Sequence, residues 1–364
     1  MKILHIVTVR KLTNGQRLQL ESEEKSAKLI ENIDWDIHVY HTDKCINDFE
    51  QLIPKFFQFP LLRYLYGWIK LLEVSKKYDI VLQRRMPYDP FGVILGWFVS
   101  NRYTVHHSME INEMKLIKTG ITGKIASMLE KITGYVNARQ IKGFLGVTKE
   151  IAEFENSVFK TFLPIYSYPN GILTDNTKLI DDNRDKNEIN ILFMAGTFTL
   201  WSGLDLLLDA VQKDIKYLEK NNVKIHLVGN VKDREKIVIE NINNSYPLFN
   251  IYGHVNSNKY REVMSRCDIG LGSLALIRQG MNEGSTLKVK EYLNLGLPVY
   301  SGHKDTAIED DYTFYIYEND INLSVIVDFA IEMRSYTRDA VHNSSIQYID
   351  KKILMEKFIL ELDD

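Results

Sequence analysis

Short apolar, β-branched runs alternate with helix-length segments along this chain, in two series. The first series of predicted strands lies at 3–9, 37–40, 80–82, 103–106 and 144–147. The second lies at 189–194, 223–228, 249–252, 269–271 and 298–300. This alternation is typical of parallel strands joined by crossover helices, with helices on both faces of each sheet. The pattern predicts an α/β protein with two doubly wound, Rossmann-like domains that face one another across a cleft.

Apolar residues recur at intervals of three and four in two of the segments between strands. The first set is Leu61, Leu62, Leu65, Trp68, Ile69 and Leu72, and the second is Ile125, Met128, Leu129 and Ile132. This spacing predicts two amphipathic helices, each with one buried stripe.

The length of 364 residues also favours two domains, because a single hydrophobic core rarely grows beyond roughly 250–300 residues. Residues 174–188 are polar and charged, which predicts a linker between the domains. We therefore expect a first domain at 1–172 and a second domain at 173–344. A last helix at 345–364 is expected to pack back onto the first domain.

The composition is that of an ordinary globular protein, with 45% hydrophobic and 26% charged residues, and it excludes disordered and low-complexity classes. The two cysteines, Cys45 and Cys267, have no neighbours at metal-binding spacing and indicate a reducing compartment. The apolar run at the N-terminus is too short for a signal peptide, and no stretch reaches the ~20 apolar residues of a membrane span. We expect a cytoplasmic protein.

Charge is distributed unevenly along the chain. Residues 1–170 have 23 basic and 18 acidic side chains, whereas the remainder has 22 and 30. A basic first domain favours an anionic acceptor or peripheral contact with anionic lipids on the inner face of the membrane. Scattered, solvated lysines explain the same count equally well. No nucleic acid partner is predicted.

The most informative local sequence is NEGSTLKVKEYLNLGLPVYSG, at 282–302. A helix that begins near Ser285 would point the free N–H groups of Ser285, Thr286 and Leu287 at a diphosphate, and Lys288 would add a full charge. Glu291 would accept hydrogen bonds from ribose hydroxyls, and Glu283 would hold the sugar. By spacing alone, two surface glutamates separated by chance remain the more frequent explanation.

Several motifs together resemble the retaining, sugar-nucleotide-dependent glycosyltransferases of the GT-B fold, in particular glycosyltransferase family four with its capsule and exopolysaccharide branches. Glu283 and Glu291 match that family's glutamate pair, and LKVKEYLNLGLPV looks like its signature around them. Other matching segments lie at 168–172 (YPNGI), 193–210, 225–230 and 252–274. The resemblance spans almost the whole chain.

The resemblance implies further donor-site residues in the second domain. They are Gly196, Thr197 and Ser202 in the loop after the first strand of that domain, and Gly253 and His254 near the base. Many relatives have an arginine and a lysine in this first loop, whereas this chain has Thr197, Thr199 and Ser202. Lys288 and Arg278 are the candidates to replace the missing charges.

In the first domain, two histidines follow the predicted strand at 103–106. The resemblance aligns His106 with a histidine near the anomeric carbon and His107 with a position that is commonly acidic. Strand alternation sends their rings to opposite sides, so only one is expected to face the cleft. Taken alone, a histidine after a strand is more often structural.

The loop after the first strand is a candidate acceptor site. Relatives use this loop for the acceptor, and Gly15 would allow close backbone approach. Arg10 and Arg17 would suit an acceptor that bears phosphate. A solvated basic loop accounts for these residues as well.

The resemblance implies a hexosyltransferase-type enzyme that moves a sugar, with retention, from a nucleotide diphosphate sugar such as a UDP-sugar. The acceptor would be a glycan or a lipid-linked glycan of bacterial surface polysaccharide or glycoconjugate synthesis. The expected catalytic residues are Glu283, Lys288 and His106. No cofactor or metal is expected, since neither an Asp-x-Asp motif nor a His and carboxylate cluster at ligand spacing is evident.

Two other readings remain open from the sequence. A nucleotide-sugar epimerase, a hydrolase or a non-catalytic sensor of the same fold would bind the same donor. Residues 270–275 also fit the G-x-G-x-x-A fingerprint of NAD-dependent oxidoreductases. That match follows the fourth strand of its series rather than the first, which makes it a weak signal.

Overall fold

The protein forms two compact units in the computed structural model, which describes residues 1–117, 120–175 and 177–363. Unit 1 comprises Met1–Leu173 and Lys351–Asp364, and unit 2 comprises Thr174–Asp350. Each unit is built on one parallel sheet, as the predicted α/β fold class requires. Asn176 of the predicted linker and Asp364 of the predicted last helix lie outside the described residues.

Unit 1 contains seven parallel strands in the order β3-β2-β1-β4-β5-β6-β7. The strands are β1 (Lys2–Thr8), β2 (Asp34–His41), β3 (Glu50–Leu52), β4 (Ile80–Arg84), β5 (Arg102–His106), β6 (Gly143–Gly146) and β7 (Ile165–Ser167). The helices are α1 (Asn14–Ala27), α2 (Pro60–Val74), α3 (Gly92–Leu95), α4 (Glu110–Ile117), α5 (Ile121–Asn137) and α6 (Lys149–Val158). Short 3-10 segments lie at Lys55–Gln58, Ser75–Lys77, Gly96–Phe98 and Ala138–Gln140.

Unit 2 contains six parallel strands in the order β10-β9-β8-β11-β13-β15 and a separate pair, β12-β14. The strands are β8 (Ile189–Thr197), β9 (Val223–Asn230), β10 (Phe249–Gly253), β11 (Ile269–Leu271), β12 (Glu283–Gly284), β13 (Val299–Ser301), β14 (Lys304–Asp305) and β15 (Tyr315–Tyr317). The helices are α7 (Leu204–Lys213), α8 (Ile215–Lys220), α9 (Asp233–Ser245), α10 (Ser257–Ser265), α11 (Leu287–Asn294), α12 (Leu323–Met333) and α13 (Arg338–Ile349). A 3-10 segment lies at Leu276–Gln279, and the last helix, α14 (Lys351–Asp363), belongs to unit 1.

Alternate residues of β1 point to opposite faces of the unit 1 sheet and pack into the core on each face. Ile3 and Val7 pack on the side covered by α1 and α14, and Leu4 and Ile6 pack on the side covered by α2. Because both faces are apolar, the strand reads as a continuous hydrophobic run. All ten predicted strands are present, whereas the short strands β3, β7, β12, β14 and β15 were not predicted.

Helix packing differs from the prediction in both amphipathic helices. The apolar residues predicted to be buried in α5 are exposed: Ile125, Met128, Leu129 and Ile132. In α2, Leu61 and Ile69 are also exposed, and Tyr64, Gly67 and Leu71 join Trp68 in the buried stripe. Apolar spacing identifies a helix but does not state which of its faces meets the core.

The predicted linker is packed into unit 2. Ile180 lies in the core of that unit, and Arg184 pairs with Asp182 while it donates to the carbonyl groups of Met333 and Tyr336. Residues 345–349 belong to α13 of unit 2, so the helix that returns to unit 1 begins at Lys351 instead of 345.

Candidate functional site

The ligand-binding end of a parallel sheet is the edge at which its strands reach their carboxyl ends. In unit 2, β8 ends at Thr197, which pairs with Asn230 at the end of β9, and β10 ends at Gly253 beside Val228. The loops that contain Gly196, Thr197, Gly253 and His254 therefore leave from one edge of the sheet.

Helix α11 begins two residues later than the sequence predicts. Glu283 and Gly284 are extended and pair with Lys304 and Asp305, so the chain turns into the helix only at Leu287, with Thr286 as its N-cap. The N–H groups of the first helical residues have no partner within the helix. The hydroxyl of Thr286 is buried and has no hydrogen-bond partner in the described part of the chain.

Lys288 and Glu291 are half-buried and lie on one face of α11, three residues apart. Neither side chain has a hydrogen bond or ion pair among the described residues, and the Lys288 ammonium lies 5.4 Å from the centre of the Phe193 ring. Burial lowers the pKa of Lys288 to about 8 and raises the pKa of Glu291 to about 7. Ionisable groups perturbed by burial and left without partners are candidates for a functional site.

Two contacts that the sequence analysis missed fix this helix in place. The Lys290 ammonium donates to Asp305 at 2.7 Å, and both side chains are fully buried. The hydroxyl of Tyr292 accepts the N–H of Met194, near the end of β8. The sequence contains one indication of this ion pair. Lys290 lies between Val289 and Leu293 on the apolar side of the helix, where burying a charge without a partner would be unfavourable.

The end of β8 and the loop after it combine open and structural positions. Gly196 and Thr197 are exposed, and a Cβ on Gly196 would meet no atom within 4 Å. Ser202, in contrast, is buried, and its hydroxyl accepts the Thr199 N–H at 3.1 Å. Ser202 therefore shapes the loop, and Gly203 follows it in the left-handed region with a φ of 80°.

The remaining predicted donor residues lie in different environments. Arg278 is held by Asp205 at 2.7 and 2.9 Å and donates to the carbonyl of Leu200, so its charge is already paired. Ser285 is buried and Glu283 is half-buried. Gly253 has a φ of 65° with open space at its Cβ position, and His254 is exposed.

In unit 1, the structure separates the two histidines that the sequence could not distinguish. His106 is completely buried, and its ring bonds to the Glu110 carboxylate at 3.0 Å and to the Thr104 hydroxyl at 3.1 Å. His107 is half-buried, and its Nε2 has no partner in the described residues. Burial and the charge of Arg84 lower the pKa of His107 well below its usual range. Of the two, only His107 is accessible, while His106 is held at the end of β5 by its hydrogen bonds.

From the sequence, no His and carboxylate cluster is expected near the cleft, whereas two groups of possible metal ligands lie in the described part of unit 1. One consists of His106, Glu110 and Glu155, and the other of His41, Cys45 and Glu50. In the first, His106 lowers the pKa of Glu110, while burial and Glu110 raise the pKa of Glu155. In the second, Arg17 holds Glu50 in a bidentate pair, which disfavours a cation there.

The candidate acceptor loop is shorter than predicted. Helix α1 begins at Asn14, so Gly15 lies in its first turn, and Thr13 and Gln16 form a capping box. Arg17 is committed to the buried Glu50, with contacts at 2.7 and 3.1 Å. Arg10 remains exposed and lines a cavity of about 410 Å³ with Lys55, Gln58, Phe59, Pro60 and Arg63.

Arg84 is a further candidate that the sequence analysis missed. It is the last residue of β4, at the carboxyl edge of the unit 1 sheet, and burial lowers its pKa to about 10. It makes no hydrogen bond or ion pair in the described ranges. Its position beside His107 makes it a cation available to an acceptor or sugar.

The glycines of the G-x-G-x-x-A match serve packing. A Cβ on Gly270 would lie 2.5 Å from the Tyr292 ring, and one on Gly272 would lie 2.3 Å from the Ser301 hydroxyl. After β11 the chain enters a 3-10 segment at Leu276–Gln279 instead of the helix that a dinucleotide fingerprint opens.

Comparisons with known proteins agree with this architecture. Residues 189–321 match the family described as glycosyl transferases group 1. The chain is similar in structure to the lipopolysaccharide outer core galactosyltransferase WaaB in its apo form, with a TM-score of 0.64, 12% identity and 100% of each chain covered. A sequence search among curated proteins found no match.

Two further solved structures show the same likeness. WaaG, a glycosyltransferase involved in lipopolysaccharide biosynthesis, has a TM-score of 0.62 at 15% identity, over 97% of this chain and 98% of WaaG. A mutant of S. aureus TarM, in complex with fondaparinux, alpha-GlcNAc-glycerol and UDP, has a TM-score of 0.54 at 18% identity, over 84% of this chain and 59% of TarM.

The fold is GT-B, with two Rossmann-like units, and the match of residues 189–321 in unit 2 to the glycosyl transferases group 1 model supports a glycosyltransferase. Among the described residues, no helix is both long and apolar enough to cross a bilayer.

Proposed function

We propose that the protein transfers a hexosyl group, with retention, from a nucleotide diphosphate sugar to a glycan or lipid-linked acceptor in bacterial surface polysaccharide or glycoconjugate synthesis. The observation that supports this most is the pair of half-buried, unpartnered side chains on α11, Lys288 and Glu291. A nucleoside diphosphate would supply phosphate oxygens to the first and ribose hydroxyls to the second. UDP is our first candidate, since the TarM structure contains UDP.

In the proposed reaction, the glycosidic C–O bond to the diphosphate breaks while the acceptor oxygen bonds to the anomeric carbon on the same face. The leaving phosphate oxygen takes the acceptor's proton, so no side-chain base is required. Catalysis then consists of stabilising the charge that develops on the diphosphate. Lys288 and the N–H groups at the start of α11 would supply this stabilisation, and Glu283 would orient the sugar. We expect no metal to be needed.

Unit 1 would bind the acceptor. The cavity at Arg10, Lys55 and Arg63 has three cationic side chains, no acidic residue and an exposed phenyl ring at Phe59 in its lining. Such a lining suits an acceptor that bears phosphate next to an apolar group. His107 and Arg84 would lie beside the reacting sugar.

The direct test combines donor binding with product analysis. Calorimetry with UDP, GDP, CDP and ADP, with and without EDTA, should show that one nucleotide binds and that EDTA has no effect. NMR of the product formed from the matching nucleotide sugar should then show the donor's anomeric configuration. Inversion would contradict the retaining mechanism, and release of free sugar at the same rate without an acceptor would favour a hydrolase.

A further inference from the structure

Helix α5 of unit 1 has its apolar face directed outward and its polar face buried. Its buried face consists of small and polar residues, namely Gly123, Ala126, Ser127, Glu130, Thr133, Gly134 and Asn137. Its outward face carries large apolar side chains at Ile121, Ile125, Met128, Leu129 and Ile132, which are 46–76% exposed. A helix that served only to cover a core would have the opposite arrangement.

Contacts on the buried face hold α5 in this orientation. Glu130 forms a buried ion pair with Arg85 and accepts the Tyr88 N–H. At Gly134, a Cβ would lie 2.3 Å from the Phe159 ring. Rotating the helix to bury its isoleucines would break the ion pair and place bulk where only glycine fits, so the apolar face is held outward.

The apolar surface continues onto the neighbouring segment. Helix α3 packs against α5, and α3 with the 3-10 turn after it presents Ile94, Trp97 and Phe98, each 65–67% exposed. Together these residues and the outward face of α5 define what we call the α3/α5 surface. Exposed large apolar side chains grouped on two neighbouring elements are typical of an interaction site.

The charges along α5 and in the segments that flank it are mostly basic. Between 114 and 142 the sequence has six basic residues and one acidic residue, and that acidic residue is the buried Glu130. Lys115, Lys124 and Lys131 line a cavity of about 520 Å³ between α4 and α5, together with Met128. Ammonium groups next to apolar side chains suit a lipid, because the ammonium groups can bind the headgroup phosphate while the apolar side chains contact the acyl chains.

We infer that the α3/α5 surface docks the protein on an anionic lipid bilayer. The side chains of Trp97, Phe98 and the isoleucines would enter the headgroup boundary, where tryptophan is favoured, and the lysines would contact lipid phosphates. A second copy of the chain fits less well, because a symmetric contact would set lysines against lysines. The inference rests on the lipid-linked acceptor of the proposed function and specifies the surface that reaches it.

The test is cosedimentation of the full-length protein with vesicles of phosphatidylcholine alone or mixed with phosphatidylglycerol. We expect binding to the mixed vesicles that weakens as salt is raised. Ile125→Glu with Ile132→Glu should weaken it by about tenfold or more, because two exposed apolar side chains become charged. Lys124→Glu with Lys131→Glu should abolish the preference for phosphatidylglycerol. The matched control is Ile237→Glu on α9 of unit 2, a residue 60% exposed.

Two further measurements separate the outcomes. Nucleotide binding and turnover with a soluble acceptor should be unchanged in the α5 variants, so a failure of lipid binding alone overturns this inference and leaves the proposed function standing. Sedimentation velocity without vesicles should show a monomer. A dimer that the Ile125→Glu and Ile132→Glu changes dissociate, with no vesicle binding by the wild type, would assign the surface to a second copy.

Discussion

Two lysines on helix α11 lie in contrasting environments. Lys290 is fully buried and paired with Asp305, whereas Lys288, two residues earlier, is half-buried and has no partner in the described chain. The same contrast occurs between two arginines of unit 1. Arg17 is committed to the buried Glu50, and Arg10 lines an open cavity. A paired charge holds an element in place, and an unpaired one is left for a ligand.

The largest expected effect tests the paired lysine. Lys290→Met removes the ion-pair partner of the buried Asp305 carboxylate, which should lower the free energy of unfolding by about 3–5 kcal/mol. Urea denaturation of the purified variant measures this loss. The double variant Lys290→Met with Asp305→Leu is the matched control, and it should regain most of the stability. A single variant as stable as the wild type would show that the pair does not anchor α11.

The second effect tests the unpaired lysine. Lys288→Met should lower kcat/KM for transfer by roughly 10-fold to 100-fold, because a hydrogen bond to a charged group contributes about 1.5–3 kcal/mol. Its thermal midpoint should not fall, since the change removes a desolvated charge. Lys236→Met on α9, an exposed lysine paired with Asp233, is the control and should keep full activity. Equal activity in both variants would contradict a phosphate-binding role for Lys288.

A third, smaller effect is the pH dependence of nucleotide affinity. Affinity should rise as Glu291 ionises through a pKa of about 7 and fall as Lys288 loses its proton through a pKa of about 8. Calorimetry across this range would show a bell-shaped profile, and Glu291→Gln should remove its acidic limb. An acidic limb that persists in Glu291→Gln would assign the titration to another group.

The raised pKa of Glu291 also makes the stability of the protein depend on pH. Because the folded state raises the pKa of Glu291 above the ordinary value of 4.5, the native protein binds more protons between the two values. The free energy of unfolding therefore falls as pH rises from 4.5 to about 7, because the buried Glu291 loses its proton. Glu291→Gln should be more stable than the wild type at neutral pH and equal to it in acid.

The smallest expected effect concerns Arg278. Its ion pair with Asp205 is partly exposed, so Arg278→Ala should cost only about 0.2–1 kcal/mol of stability. Nucleotide affinity should fall less than in Lys288→Met, since Asp205 already neutralises the guanidinium. A loss of affinity larger than that of Lys288→Met would reverse this ranking and assign Arg278 to the diphosphate.

Much of the fold could be predicted from sequence because strand and helix periods are local properties. The α/β class, both parallel sheets and ten of the fifteen strands in the described part of the chain follow from the spacing of apolar residues. The two-residue strands β12 and β14 could not be predicted, since their pairing joins residues about 20 positions apart. Because Glu283 and Gly284 are held in this strand pair, α11 begins at Leu287 and not at the predicted Ser285.

For the candidate site, the sequence by itself determined which residue types are present and in what order, and these sufficed for the class of enzyme. Only the tertiary structure decided their partners. It committed Arg17, Ser202 and Arg278 to other residues, buried His106, and left Lys288 and Glu291 without partners among the residues that the structure describes. It also turned the apolar face of α5 outward. The reason is physical: periodicity is set by neighbours along the chain, whereas burial and pairing depend on residues that only folding brings together.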